Sequence, residues 1–161
     1  MKRVIGKYTL SPLVIDDKER LFLLRSIDSP FFERKRAKNL EDIEAFIENI
    51  HREMNCRRTL YLAIRIDNNL IGTLCLWNIQ IENQCGEICF ELLEAFRGNS
   101  IIQKVVPEFL NICFIKYPPL NKIIARCHKN NFSSQKVLWK CNFKCNNRGK
   151  KGELEYEYKR S

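Results

Sequence analysis

The chain has 161 residues, 45% hydrophobic and 29% charged, the size and composition of one soluble domain with its own core. Its 28 basic against 19 acidic residues leave a net charge of +9, which suits a polyanionic partner such as a phosphate-rich cofactor, an acidic protein or nucleic acid. No apolar run approaches the roughly 20 residues of a bilayer span, and the basic start Met1–Lys7 has no apolar segment behind it, so no signal peptide is read; an anionic membrane surface suits the charge as well, but no membrane partner and a cytoplasmic setting are expected.

In chain order, Tyr8–Ile15 reads as a short strand interrupted by Pro12. Asp16 and Asp17 open a helix to about Ser26, with Leu21, Phe22 and Leu24 facing inward. Ser29–Lys38 is a polar, basic loop carrying Phe31 and Phe32. Asn39 is placed to cap the next helix, with Asp42 in the capping-box position. Along that helix Ile43, Phe46, Ile47 and Ile50 recur at helical spacing. Leu60–Ile66 and Leu70–Ile79 flank the turn-prone Asp67-Asn68-Asn69 as a hairpin. Glu87–Leu92 is a further strand. Ser100–Tyr117 reads as a long helix burying Ile101, Val105, Phe109, Ile112 and Phe114. Pro107 is expected to kink or split it, and Pro118-Pro119 ends it. A strand at Ile123–Cys127, a short helix at Ser133–Lys140, and a hairpin of Phe143–Cys145 with Leu154–Tyr158 complete the chain. This alternation predicts one layered α/β (α+β) domain over residues 1–161.

Eight cysteines are present. Several sit inside apolar patterns, as in Leu74-Cys75-Leu76 and Ile112-Cys113-Phe114, where a reduced thiol behaves as a small hydrophobe. A zinc site at Cys85, Cys89, Cys141 and Cys145 is the alternative, but neither pair has CxxC spacing and no metal is expected. Trp77 and Trp139 read as core or rim packing.

The chemistry concentrates after the Glu87–Leu92 strand, where Leu93-Glu94-Ala95-Phe96 leads into Arg97-Gly98-Asn99-Ser100 and then Ile101-Ile102. A glycine-containing turn before a helix leaves N–H groups without helical partners at the positive end of the dipole, a phosphate cradle. Taken alone this turn is equally an ordinary helix start capped by Asn99 or Ser100.

Together with Ile71-Gly72, Glu87-Ile88, Asn131-x-x-Ser134 and Asn142-Phe143, in this order, the turn resembles the GNAT acetyltransferase superfamily, in particular its RimJ/RimL-like branch of ribosomal-protein N-terminal acetyltransferases. The resemblance runs from about residue 9 to residue 158. It implies a mixed, mostly antiparallel twisted sheet of about six to seven strands, with helices on both faces. It also implies acetyl-CoA as co-substrate, held in an opening between the Glu87–Leu92 and Ile123–Cys127 strands. The chain departs from the family at four places. Ser100 replaces a second glycine, and is expected to take helical dihedrals because a helix begins there. Ile102 stands where a small residue or Met is common, Pro107 lies in the long helix, and Asn142 replaces a glycine.

Carried over residue by residue, the resemblance assigns the pyrophosphate to the turn Arg97, Gly98, Asn99, Ser100, Ile101 and Ile102. Backbone at Leu92 and Leu93 would align the pantetheine and polarise the thioester, and Asn131 would bond the pantetheine arm. Glu91, then Glu94, with Glu87 behind them, are the candidate bases for the amine, and Ser134 is the candidate acid for the leaving thiol. His51 and His128 are weaker candidates. The expected activity is acetyl transfer to a primary amine, a small amine or a protein N-terminus. The basic segments Ser29–Lys38 and Arg148–Gly152 point to an acidic protein or peptide acceptor. A homodimer is compatible with the resemblance. The competing readings are a cofactor-binding module without turnover, motivated by Ser100 and Ile102, and a nucleic-acid-binding domain. The sequence offers the second no helix-turn-helix, finger spacing or aromatic-basic interleaving.

Overall fold

The structure, a computed structural model, describes residues 1–26 and 36–161. Phe31, Phe32, Arg34 and Lys35 of the expected basic loop lie outside the described residues. Eight strands form one sheet: β1 (Arg3–Ile5), β2 (Tyr8–Pro12), β3 (Leu60–Ile66), β4 (Asn69–Gln80), β5 (Cys85–Leu92), β6 (Lys122–His128), β7 (Lys144–Cys145) and β8 (Glu153–Lys159). Their order is β1-β2-β3-β4-β5-β6-β8-β7. Every neighbouring pair is antiparallel except β5–β6. The fold is the expected mixed, mostly antiparallel layered sheet. The additional strand is β1, whose three residues are too few to show alternation; the expected strand at Phe143–Cys145 is found as the two-residue β7.

Parallel neighbours cannot be joined by a tight turn and need a crossover. Here α3 (Ile101–Lys116) supplies it. Nine of its residues are buried, and with Leu138 of α4 (Phe132–Lys140) they cover one face of the sheet, against Leu62, Leu74, Ile88 and Ile123. Pro107 does not split α3, which runs unbroken. The proline is exposed, so the carbonyl of Gln103 that it leaves without an N–H partner faces the wet side of the helix.

The other face is covered by α1 (Lys18–Arg25) and α2 (Leu40–Asn55). Leu21, Leu24, Ile43, Ile47 and Ile50 pack there on Tyr61, Ala63 and Cys75. Asn39 caps α2 as expected, accepting from the Asp42 N–H at 2.9 Å. Asp42 returns its carboxylate to Lys38 N rather than to the cap residue. Full burial of a side chain such as Phe109 or Ile43 stabilises by about 1.5–3 kcal/mol each. The consequence for function is asymmetry: α3 and α4 seal one face, while α1 and α2 pack over β3 and β4 and their cluster includes no residue of β6, β7 or β8.

Candidate functional site

β5 and β6 pair only from Cys85–Lys122 to Ile88–Ala125. Beyond that point β5 stays with β4 as far as Gly72–Leu92, and β6 stays with β8 as far as His128–Glu153. The two central strands therefore fork. The cavity at the fork has a volume of about 880 Å³, and its walls include Phe90, Glu91, Asn131 and Ser134. Gly72 is what allows β4 to follow β5 so closely, because a Cβ there would sit 2.3 Å from the Glu91 carbonyl oxygen.

Backbone direction at the fork follows from one hydrogen bond. Leu93 N–H donates to Ile71 C=O at 2.8 Å, and Leu93 C=O accepts from Phe96 N–H at 2.9 Å. Both backbone groups of Leu93 are thus engaged, which removes the expected donor there. Successive residues of a strand turn their N–H groups to opposite sides, so Leu92 N–H points away from β4, into the fork. Leu92 C=O accepts from Arg97 Nε at 3.2 Å, which ties the following turn to the strand end.

In that turn Gly98 has φ 80, and Ser100 is left-handed at φ 60, ψ 22. The helical conformation expected of Ser100 is therefore not found. The chain leaves Arg97 extended and reverses into α3 through two positive-φ residues, at a cost of about 1–2 kcal/mol for the non-glycine one. Neither the Ser100 nor the Asn99 side chain caps the helix; Asn99 Nδ2 bonds the carbonyls of Phe96 and Arg97 at 3.5 and 3.4 Å. Whereas α1 and α2 carry acidic residues in their first turns, α3 has none. Its positive end, at Ile101 and Ile102, is left for an outside anion.

Asn131 begins α4. Its Oδ1 accepts from Ser134 N–H at 3.2 Å, so the capping is done by Asn131, and the Ser134 hydroxyl is not required for it. At the other end, Phe143 N–H donates to Leu138 C=O and Asn142 N–H to Trp139 C=O, a Schellman closure. Its left-handed position is Asn142, φ 67, which explains how asparagine replaces glycine there. His128 also lines the cleft, and its Nδ1 accepts from Asn130 N–H. His51 is elsewhere, bonded through Nε2 to Leu13 C=O at 2.7 Å. Glu94 is exposed and is not among the cavity walls.

The face left open by α1 and α2 holds a cluster that sequence spacing did not single out. Arg126 reaches Glu87 at 2.5 Å, Glu155 at 2.9 Å and Glu153 at 3.6 Å. Asn146 Nδ2 adds bonds to Glu155 and Glu157, and the Asn146 bond holds the Glu157 carboxyl below the usual range. Burial pushes the Glu87 carboxyl up, against the pull of Arg126. The clue was strand alternation: Glu153, Glu155 and Glu157 fall on one face of β8, in register with His128, Arg126 and Ile124 of β6. Trp77, beside Glu87 in register, is 46% exposed, and Trp139 is 71% exposed, so neither tryptophan is core. Among the described residues no His, Cys, Asp or Glu group is arranged to hold a metal ion.

The chain matches the acetyltransferase (GNAT) domain over residues 7–144 and belongs to that family. Among solved structures it is similar to Mycobacterium smegmatis RimJ in complex with CoA-disulfide, with TM-score 0.83 and 18% identity over 98% of this chain and 85% of that one. It is also similar to the ribosomal alpha-N-protein acetyltransferase RimL in complex with coenzyme A (TM-score 0.82, 15% identity, 99% and 98% covered). The microcin self-immunity acetyltransferase MccE, in complex with acetyl-CoA and AMP, gives TM-score 0.80 and 18% identity, with 96% and 93% covered. No curated protein sequence matches the chain.

Proposed function

We propose that the chain transfers the acetyl group of acetyl-CoA to a primary amine by direct attack, with a protein or peptide N-terminus as acceptor. The observation that carries this reading is the fork, which opens immediately after Ile88–Ala125. Asn131 and Ser134 are among its walls, and in this reading Leu92 N–H, at the end of β5, faces the same channel. The co-substrate fits on the chain's own groups: unopposed first-turn amides at α3 for the pyrophosphate, and a strand edge for the pantetheine. When bound, acetyl-CoA supplies the activated acetyl group as a thioester.

In this reading Arg97 to Ile102 hold the phosphates through backbone amides. Leu92 N–H polarises the thioester carbonyl, the role that Leu93 N–H cannot take. The Asn131 side-chain amide, whose oxygen caps α4, offers its N–H to the pantetheine arm. Glu91 takes the proton of the attacking amine, and the Ser134 hydroxyl gives one to the departing sulfur. Glu94, away from the cavity wall, is the lesser base. The acceptor side has two signs of charge. The floor around Arg126 is acidic and suits the amine as it arrives protonated; Arg25, Lys150 and Lys151 at the wall suit carboxylates further along the acceptor. An N-terminus followed by acidic residues meets both.

Calorimetric titration with acetyl-CoA, followed by turnover on peptides differing only in the charge after the N-terminal residue, tests this. Saturable binding and faster acetylation of the acidic series are expected. Absence of acetyl-CoA binding at millimolar concentration overturns the reading. Equal peptide rates at low salt overturn the acceptor class alone. A second reading, cofactor binding without turnover, is motivated by the left-handed Ser100 and predicts binding with no acetylation of any peptide or small amine.

A further inference from the structure

Strand alternation puts Glu87, Cys89 and Glu91 of β5 on the face away from α3, together with Thr73 and Cys75 of β4. Cys75 and Cys89 stand directly opposite one another in the antiparallel register. Cys89 N–H turns toward β4 as Leu93 N–H does, so this is a hydrogen-bonded pair with Cα atoms about 5.5 Å apart, within the roughly 4.4–6.8 Å that disulfides span. Thr59 Oγ1 lies 3.5 Å from Cys75 Sγ. Their access differs. Cys75 is buried at 8% exposure, whereas Cys89 is exposed. Cys89 also lines the cleft, one residue past the pair at which the fork opens. Neither cysteine has a task in the acetyl transfer described above.

From this juxtaposition we propose that Cys75 and Cys89 form a thiol–disulfide exchange site: Cys89 attacks a low-molecular-weight disulfide entering the cleft, and Cys75 resolves the adduct into a cross-strand disulfide. In the first step the Cys89 thiolate bonds to one sulfur of the small disulfide, and the other sulfur leaves as a thiolate. In the second the Cys75 thiolate bonds to Cys89 Sγ, and the remaining small thiolate leaves. The two departing thiolates take up the two protons that the protein thiols lost. Two protein thiols and one small disulfide thus become one protein disulfide and two small thiols. The small disulfide is itself the oxidant.

The pair shares one ionisation, whose charge rests first on Cys75 and reaches Cys89 only by transfer of the Cys89 proton. Hydrogen bonding from Cys89 holds the Cys75 thiol below its usual range, and the same contact raises Cys89. A proton passed between them leaves either sulfur as a thiolate backed by the other thiol. The second step is intramolecular between neighbours already in place, which favours resolution over accumulation of the adduct. Access fixes the order of events, because a small disulfide in the cleft meets Cys89 while the sheet shields Cys75.

The test uses the full chain with Cys56 and Cys145, also exposed, replaced by Ser. This protein is treated with glutathione disulfide and read by intact mass and peptide mapping. Loss of two hydrogens with a linked Cys75–Cys89 peptide pair, reversed by dithiothreitol, is the expected result. Cys75→Ser should retain one glutathionyl group on Cys89, and Cys89→Ser should leave Cys75 at least about tenfold slower to react. Circular dichroism verifies folding, and Cys75→Ala replaces Cys75→Ser if the latter does not fold. No reaction at Cys89 overturns the proposal. So does an adduct that persists with Cys75 present, or equal reaction of Cys75 in Cys89→Ser. None of these readouts depends on acetyl transfer.

Discussion

Two arginines organise carboxylates on this sheet, and they do so in opposite ways. Arg65 of β3 is 6% exposed and its partner Asp17 is 5% exposed. Its Nε donates to Ser11 Oγ, its Nη1 to Asp17 and the Asn68 carbonyl, and its Nη2 to Asp17 and the Pro12 carbonyl. That exhausts the five donors of a guanidinium, and one positive charge meets one negative. Arg126 of β6, with a side chain 32% exposed, bonds no backbone carbonyl among the described residues and faces Glu87, Glu153 and Glu155. Three carboxylates against one guanidinium leave two negative charges in surplus, in a chain whose total is +9. The first centre is closed and neutral, and it joins β2, β3 and the start of α1. The second is open and under-neutralised, at the edge of the cleft. Burial and charge balance, not the presence of an ion pair, distinguish a structural arginine from one set to meet a ligand.

The largest effect expected from this contrast is on folding. Arg65→Met leaves Asp17 buried without its counter-charge and should cost about 3–5 kcal/mol, read by denaturant unfolding. Replacing Asp17 by Leu in the same chain should restore much of that loss, because a neutral apolar pair removes the stranded charge. Were the double variant as unstable as the single one, the closed centre would owe its effect to the backbone carbonyls rather than to charge.

Next comes Arg126→Met. Glu87 and Glu155 are as buried as Asp17, at 4% and 6% exposure, so folding should lose stability here too, but less than in Arg65→Met because the Arg126 side chain itself reaches solvent. If the open centre meets the acceptor, the KM for the peptide should shift by about tenfold, some 1.4 kcal/mol, while acetyl-CoA affinity stays within error. A stability loss as large as that of Arg65→Met, or an unchanged KM, would erase the distinction between the two centres.

Legibility in the sequence followed the same division. The apolar periodicities of α2 and α3 mark their buried faces: Ile43, Ile47 and Ile50, and Ile101, Val105 and Phe109, are core. The Asn131-x-x-Ser134 spacing marks the start of α4, where Asn131 caps the helix. What the sequence hides is whatever depends on register between distant strands. Arg126 meets Glu87 across 39 residues and Glu155 across 29. Arg65 meets Asp17 across 48, and no local spacing reports such pairings. Conformation at single turns is hidden too. Ser100 has a residue type common at helix starts, yet the geometry that joins β5 to α3 imposes a left-handed conformation on it. The engagement of Leu93 N–H by Ile71 depends likewise on how β4 and β5 end together.

The smallest effect is a slope. Burial is the main reason that the Glu87 carboxyl is raised, with Arg126 pulling the other way. A carboxyl raised in the folded state binds its proton more tightly there than in the unfolded chain. Its contribution to stability is therefore complete below the unfolded pKa and is lost as pH climbs through the folded one. Glu87→Gln should remove that decline, so the variant gains on the wild type as pH rises from about 4 toward neutrality. In Arg126→Met the opposing pull is absent, the window extends to higher pH, and the gain from Glu87→Gln should be larger than in the wild-type background. Unfolding curves for the four proteins across that pH range give the coupling directly. An identical gain in both backgrounds would mean that Arg126 does not hold Glu87 ionised, and the open centre would then reduce to Arg126 with Glu153 and Glu155.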